Sequence, residues 1–320
     1  MERFPVIDVR LTSDIGTDFV VSLEDTEQMG SKEKFWCKRR GTEERYLLKY
    51  PRASTGEDWA EKIAAELAGD AGLRLPHASV DLATHRGRTA VLVRDFLEEG
   101  ERLIHGNELL WERDPDYPHE MRRVPQHTLA SVFDALEART VEVPHGLDLP
   151  DGVRTAVDLY SGYLVLDALI GNTDRHHENW GIVAKKGTDG VRMLSVAPTY
   201  DHGSSLGREL RDEKRQKIRT TADLRSDLAA YAMRARSAFF RTADAAGPLG
   251  TFDLLKVAAE RAGSAVRAWV ARVEAARRAL PYDVLIDRVP PERMTIEARE
   301  FTSLLLEYNF NRICEAVDRP

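Results

Sequence analysis

Leu164-Val165-Leu166-Asp167-Ala168-Leu169-Ile170-Gly171-Asn172-Thr173-Asp174-Arg175-His176-His177-Glu178-Asn179 is the stretch from which the fold can be read. Its first seven residues have the length and composition of a buried helix, and Gly171-Asn172 is a signal for a helix C-terminus. The polar loop that follows sets ionisable and amide groups against the end of an apolar segment, where protein must replace water as their solvent. Loops of that kind usually carry function. Beyond it, Trp180-Gly181-Ile182-Val183 and Val191 to Val196 are β-like runs around a Gly-containing turn, Lys185 to Gly190, which predicts a hairpin. The hairpin leads to Pro198-Thr199-Tyr200-Asp201-His202-Gly203, a second acidic group followed by a glycine that lets the backbone turn sharply.

The order helix, Asp-containing loop with an Asn five positions on, hairpin, Asp-x-Gly is the layout of a phosphoryl-transfer site in kinases. In such a site one Asp accepts the proton of the substrate hydroxyl, and the Asn and second Asp hold magnesium against phosphate oxygens. The spacing has a physical reason. Asp174 and Asn179 share a loop that can curl round a cation, and a hairpin returns Asp201 beside them without a long closure.

Asn172-x-Asp174-x-His176-x-x-Asn179 followed by Tyr200-Asp201 resembles the signature of the HipA-like kinases, bacterial serine/threonine kinases with a divergent protein-kinase fold. The resemblance implies Asp174 as catalytic base, His176 as the residue that organises the catalytic loop, and Asn179 and Asp201 as magnesium ligands. It also implies an α+β, bilobal architecture: a small β-rich N-lobe over residues 1–97 and a larger, mostly helical C-lobe over 98–320. ATP and Mg2+ are the expected cofactors. Full-length HipA toxins carry an extra N-terminal subdomain that is not recognised in this sequence, so the compact members of the family are the nearer likeness.

Composition fits a bilobal enzyme. A chain of 320 residues is long enough for one large domain or two modest ones around a cleft. With 42 % hydrophobic and 31 % charged residues, neither disorder nor a membrane span is indicated. No apolar run approaches bilayer length, and Met1-Glu2-Arg3-Phe4-Pro5 lacks the pattern of a signal peptide. A cytoplasmic location is the expectation. The net charge of −7 argues against a broad nucleic-acid-binding surface, leaving only local basic patches such as Arg208 to Arg219. Cys37 and Cys314 are far apart and lack metal-ligand spacing, which reads as reduced thiols.

In the first lobe, Val6 to Leu23 is β-like. Gly30-Ser31-Lys32-Glu33-Lys34 then precedes another β-run. A glycine turn with free N–H groups and nearby lysines can hold nucleotide phosphates, although the same residues also suit a plain hairpin turn. By resemblance, Gly30, Ser31 and Lys34 belong to the loop over ATP, and Ser31 is a candidate for autophosphorylation. Tyr46-Leu47-Leu48-Lys49-Tyr50-Pro51 places a lysine at a strand end, where kinases keep the lysine that contacts the α- and β-phosphates. Glu57 to Ala68 reads as an amphipathic helix with Trp59, Ile63 and Leu67 on one stripe. A Lys on the strand and a Glu on that helix are the parts of an ion pair that positions phosphates. Glu61 is preferred, and Glu66 stays open. Strands are expected over Ala78 to Leu82 and Thr89 to Val93. Arg94-Asp95-Phe96 then forms the hinge, where backbone groups would meet the adenine edge.

In the second lobe, Leu103 to Leu110 has no assigned mechanism, and His105 reads as a packed or surface histidine. Trp111 to Arg123 is expected to be an irregular loop that shapes a substrate groove. Helices are expected over Leu129 to Leu136, Val153 to Leu166, Thr221 to Arg241, Phe252 to Ala279 and Pro291 to Val317. The charged segment Arg208 to Lys217 sits where kinases keep an activation segment, with Arg211, Lys214 and Arg215 as candidate contacts to an acidic substrate. Three functions fit: a kinase of Ser or Thr in a protein or peptide, a kinase of a lipid headgroup or small-molecule alcohol, and a pseudokinase acting as a binding module. The expected partners are a protein or peptide substrate and, by resemblance, an antitoxin-like regulator; neither membrane nor direct nucleic-acid binding is expected.

Overall fold

Among the described residues, the β-branched and aromatic residues of the N-terminal third form six strands: β1 (Val6–Val9), β2 (Phe19–Val21), β3 (Lys34–Arg39), β4 (Arg45–Lys49), β5 (Val80–His85) and β6 (Arg88–Arg94). The structure, a computed structural model, describes residues 2–10, 19–21, 33–187 and 191–318. The strands make one sheet in the order β1-β5-β6-β4-β3-β2, antiparallel throughout except for β1 against β5. Helix α1 (Glu57–Ala68) enters between β4 and β5. Its Ala65 packs with Val80, Val91 and Val93 of the sheet. Its Trp59, Ile63 and Leu67 join the main core, which continues into the C-terminal region.

Because α1 is covered on both sides, only Glu66 of its twelve residues is not buried. The one-faced helix read from the sequence is therefore enclosed all round, and its buried charges need partners. They have them. Lys62 donates to Val80 O at 2.8 Å and pairs with Glu66 at 2.7 Å. Arg293 reaches Asp58 at 2.9 Å, and Glu57 holds Arg52 at 2.7 Å and also Arg208.

The remaining chain is mostly helical, with a three-stranded antiparallel sheet at its start. That sheet consists of β7 (Glu101–His105), β8 (Gly181–Lys186) and β9 (Arg192–Val196), with β8 in the middle. The hairpin was legible in the sequence; β7 was not. Helices α2 (Gly106–Arg113) and α3 (Leu129–Ala138) precede α4 (Ala156–Ile170), the centre of the C-terminal core. Every residue of α4 except Asp158 is buried, as expected of a helix apolar on all sides. Its start is capped reciprocally: Asp158 N donates to Thr155 Oγ1 at 3.1 Å, and Thr155 N donates to Asp158 Oδ2 at 3.0 Å. Its end is Gly171 in the left-handed conformation, φ +63°.

Helix α5 (Asp212–Thr220) takes in much of the charged segment Arg208 to Lys217. Asp212 and Glu213 open it, Lys217 and Arg219 close it, and that polarity suits the helix dipole. The long helix expected from Thr221 to Arg241 reduces to α6 (Leu228–Met233). The polar run before it ends in Asp227, whose side chain accepts from Ala230 N at 2.8 Å and starts the helix there. After it the chain is held by isolated bridges from Arg236 to Gly250 and from Phe240 to Thr128. Helices α7 (Thr251–Ala279), α8 (Tyr282–Ile286) and α9 (Ile296–Asp318) complete the scaffold. The fold is thus α+β, β-rich at the N-terminus and mostly helical at the C-terminus. No helix among the described residues is long and apolar enough to cross a membrane, and Cys37 and Cys314 are not joined by a disulfide.

Candidate active site

Asp167 and Arg175 fix the loop after α4. Asp167 lies in the last turns of that helix, and Arg175 Nε and Nη2 each donate to its carboxylate at 2.7 Å. Asn172 Nδ2 donates to the same carboxylate at 2.8 Å. The two charged side chains are 5 % and 1 % exposed, so the pair works as an internal anchor. Burial disfavours the Arg175 charge, but the Asp167 carboxylate outweighs it and holds the guanidinium pKa up. Arg175 Nη1 also donates to Asn179 O at 3.0 Å, which ties the far end of the loop to its root.

On that anchor the loop folds back on itself. Asp174 N donates to Asn172 Oδ1 at 3.0 Å, and Asn179 Nδ2 donates to Asp174 O at 2.8 Å. His176 is buried; its N–H donates to Asp174 O at 2.8 Å, its carbonyl accepts from Asn179 N at 2.9 Å, and its Nδ1 accepts from Glu178 N at 3.3 Å. Burial lowers the His176 pKa, opposed by the charges of Asp174, Glu178 and Asp201, so the acids of both segments act on this one ring. Ser204, just beyond Asp201, donates to Asp174 Oδ2 at 3.3 Å. The two segments are joined by that bond and by Thr173 N donating to Ser204 O at 3.2 Å.

Asp201 adopts φ +57°, an uncommon conformation for a residue with a side chain. Its Oδ1 lies 3.2 Å from Lys49 Nζ, and Lys49 also pairs with Glu61 on α1. Lys49 is buried, which disfavours its charge, but Asp201 and Glu61 more than compensate and raise its pKa, keeping it an ammonium. Lys49, Glu61 and Asp201, drawn from β4, α1 and the turn after β9, thus meet at one point. Glu66 takes no part, being paired with Lys62. Gly203 is close-packed here: a Cβ would lie 3.3 Å from Glu61 Oε2.

The other predicted positions divide. Lys34 faces Lys49 across β3 and β4 in register, whereas Gly30 and Ser31 lie outside the described residues. In the hinge, Arg94 N donates to Ser79 O, Asp95 N to Arg45 O and Leu97 N to Asp95 Oδ1. That leaves the Phe96 N–H without a protein acceptor among the described residues. The Phe96 ring stacks on Tyr200, centroids 5.8 Å apart. Arg215 is not a substrate contact: it is buried, bonded to Asp212 at 2.7 Å and to Gly207 O at 3.2 Å. His105 does more than pack. Its Nδ1 lies 2.9 Å from both Glu178 O and the Tyr200 hydroxyl, which links β7, the Asp174–Asn179 loop and the residue before Asp201. Only the tyrosine next to Asp201 hinted at this in the sequence.

The donors suit magnesium. Asn179 spends its amide nitrogen on Asp174 O, which leaves the amide oxygen to offer a cation, and Asp201 supplies a carboxylate. Among the described residues no cluster of three or more His, Cys, Asp or Glu has the arrangement of a self-contained metal site. Two protein oxygens, completed by phosphates and water, is how magnesium is usually held.

A family model described as the HipA-like C-terminal domain matches residues 26–277. The chain belongs to the HipA-like family. A curated relative, the serine/threonine-protein kinase CtkA of Helicobacter pylori, is 24 % identical over 188 residues. That match covers 56 % of this chain and about half, 52 %, of the relative. The solved structure of the Helicobacter pylori proinflammatory kinase CtkA superimposes with a TM-score of 0.73 at 19 % identity, covering 98 % of both chains. HipA of Shewanella oneidensis, solved with HipB and operator DNA, gives 0.51 at 13 % identity over 92 % of this chain and 68 % of that one. These likenesses establish a bilobal, kinase-like HipA fold.

Proposed function

We propose that the chain is an ATP- and magnesium-dependent kinase that transfers the γ-phosphate to a Ser or Thr hydroxyl of a protein or peptide. The observation that carries this reading is the junction of Lys49 with Glu61 and Asp201, set beside the Asp174–Asn179 loop. Lys49 contacts the nucleotide phosphates, and Glu61 holds it in place. Asn179 and Asp201 would hold magnesium, which would supply positive charge to the phosphate oxygens. Asp174 orients the acceptor hydroxyl and takes its proton. Phe96 supplies a backbone donor and a ring to the base, Lys34 contributes positive charge to the phosphates, and Gly30 and Ser31 are assigned to phosphate binding by the family resemblance alone. Catalysis is then chiefly positioning and electrostatics, with the Asp174–Asn179 loop fixed by the Arg175–Asp167 anchor and Lys49 held by Glu61.

The serine/threonine-protein kinase among the relatives supports a protein acceptor, and an antitoxin-like protein regulator is proposed by analogy with HipA, which was solved with HipB. The test is incubation with γ-labelled ATP, magnesium, a mixed protein extract and a panel of small alcohols and lipid headgroups. Label on serine or threonine of protein is the expected result. Label only on a small alcohol would move the acceptor class, and no label under any condition would overturn the enzyme reading.

A further inference from the structure

The loop between α2 and α3 delivers two guanidinium groups to the candidate base. Arg122 Nη2 donates to Asp174 Oδ2 at 2.5 Å, and Arg123 Nη2 lies 3.6 Å from Asp174 Oδ1 while donating to Thr173 O at 2.8 Å. With Ser204 also on Oδ2, both oxygens of Asp174 face donors. The loop is anchored where it matters. Tyr117 OH bonds His177 Nδ1 at 2.7 Å, Asn107 Nδ2 donates to His119 O at 3.2 Å, and the His119 ring lies 4.6 Å from that of Trp111.

The arginines face two ways. Their side chains are 48 % and 50 % exposed, whereas that of Asp174 is 12 % exposed, so the pair touches the base on one side and solvent on the other. Asp174 engages each guanidinium through a single nitrogen, so it does not fill either fork. A carboxylate arriving from solvent can make the two-pronged contact that Asp174 does not. A base whose oxygens are taken by N–H donors must also give up one of them before it can accept a hydroxyl proton.

We propose that Arg122 and Arg123 form a recognition site for an acidic side chain adjacent to the acceptor hydroxyl, and that in the free protein Asp174 occupies this site. Binding of an acidic substrate draws the arginines off the base, so the group that identifies the substrate also uncovers the residue that activates it. The placement of the acceptor rests on the kinase reading; the acid-binding site does not.

Two fluorescein-labelled peptides test it, identical except that the single serine is flanked by Glu in one and by Gln in the other. By fluorescence anisotropy the wild-type protein should bind the Glu peptide about tenfold more tightly, the equivalent of about 1.4 kcal/mol, and Arg122→Gln with Arg123→Gln should erase the difference. Equal binding by the wild type, or a preference that survives in the double variant, overturns the proposal. In a transfer assay with ATP and magnesium, the double variant should phosphorylate the Gln peptide at least as fast as the wild type. Equal loss of transfer to both peptides would instead assign the arginines to the phosphoryl group in flight and overturn the proposal. A Glu preference in binding without transfer to either peptide supports the site and counts against the kinase reading.

Discussion

Asp167→Asn removes one charge from the interior while keeping the shape of the side chain. In the wild type the Asp167 carboxylate accepts three bonds of 2.7–2.8 Å, two from Arg175 and one from Asn172. An asparagine has one acceptor oxygen for three donors and points its own N–H groups at another donor. Breaking a buried pair by removing one partner costs about 3–5 kcal/mol, because the surviving charge is left desolvated. Arg175 keeps its bond to Asn179 O, which argues for the lower end, about 3 kcal/mol. At the shallow end of the scale for a chain of this length, that lowers the melting temperature by about 6 °C. Turnover should fall further than stability predicts, since a displacement of about 1 Å in the loop costs roughly a hundredfold in rate. Differential scanning fluorimetry and initial-rate measurements read the two effects. Asp167→Leu combined with Arg175→Met should recover much of the stability, because no lone charge remains, but not the rate, because the tether to Asn179 is gone. An unchanged melting temperature in Asp167→Asn, or a double variant as fast as the wild type, would refute the anchor.

Further expectations concern packing, protonation and the phosphate site. Gly162→Ala on α4 places a Cβ 2.7 Å from the Trp269 ring and 2.8 Å from Leu75, and should destabilise by about 1–3 kcal/mol in denaturant titration without changing ATP affinity. Burial holds the His127 pKa down at about 3 and that of His177 at about 4. Trp180 Nε1 donates to His127 Nε2 at 3.1 Å, so Nδ1, 3.0 Å from Ala238 O, carries the ring proton, and protonating Nε2 would set two donors against each other. Both folded pKa values lie below the unfolded value of about 6.5, so stability is full above that pH and is lost as pH falls toward 4 and then 3. The urea midpoint should therefore drop between pH 7 and pH 5, and His127→Gln should flatten the drop. Lys49→Met should lower kcat/KM for ATP by about a hundredfold or more, with no rescue in Lys49→Arg, because a planar fork is not equivalent to the compact ammonium that meets Glu61 and Asp201.

The elements of the candidate site were legible because their signals are local. A glycine C-cap, an Asp and Asn five apart, a hairpin and a strand-end lysine each announce themselves within a few residues. What stayed hidden depends on contacts between distant segments. Asp167 looked like one polar residue in an apolar run, yet an acid inside a buried helix calls for a cation, and Arg175 eight residues on was the nearest. Strand β7 was missed because its burial is partial and its pairing partner lies some eighty residues away. Arg215 read as a candidate substrate contact because its burial arises from packing that its own sequence does not encode. The reach of Arg122 to Asp174 spans 52 residues and has no local mark at all.

The most direct test of the account is calorimetric titration of ATP, with and without magnesium, into the wild type, Asp174→Ala and Asp201→Ala. If Asp174 serves the acceptor and Asp201 the metal, Asp174→Ala keeps nucleotide affinity within about twofold while transfer disappears, and Asp201→Ala loses about tenfold or more of affinity only when magnesium is present. Equal loss of nucleotide affinity in both variants, or magnesium-independent binding in the wild type, would contradict it.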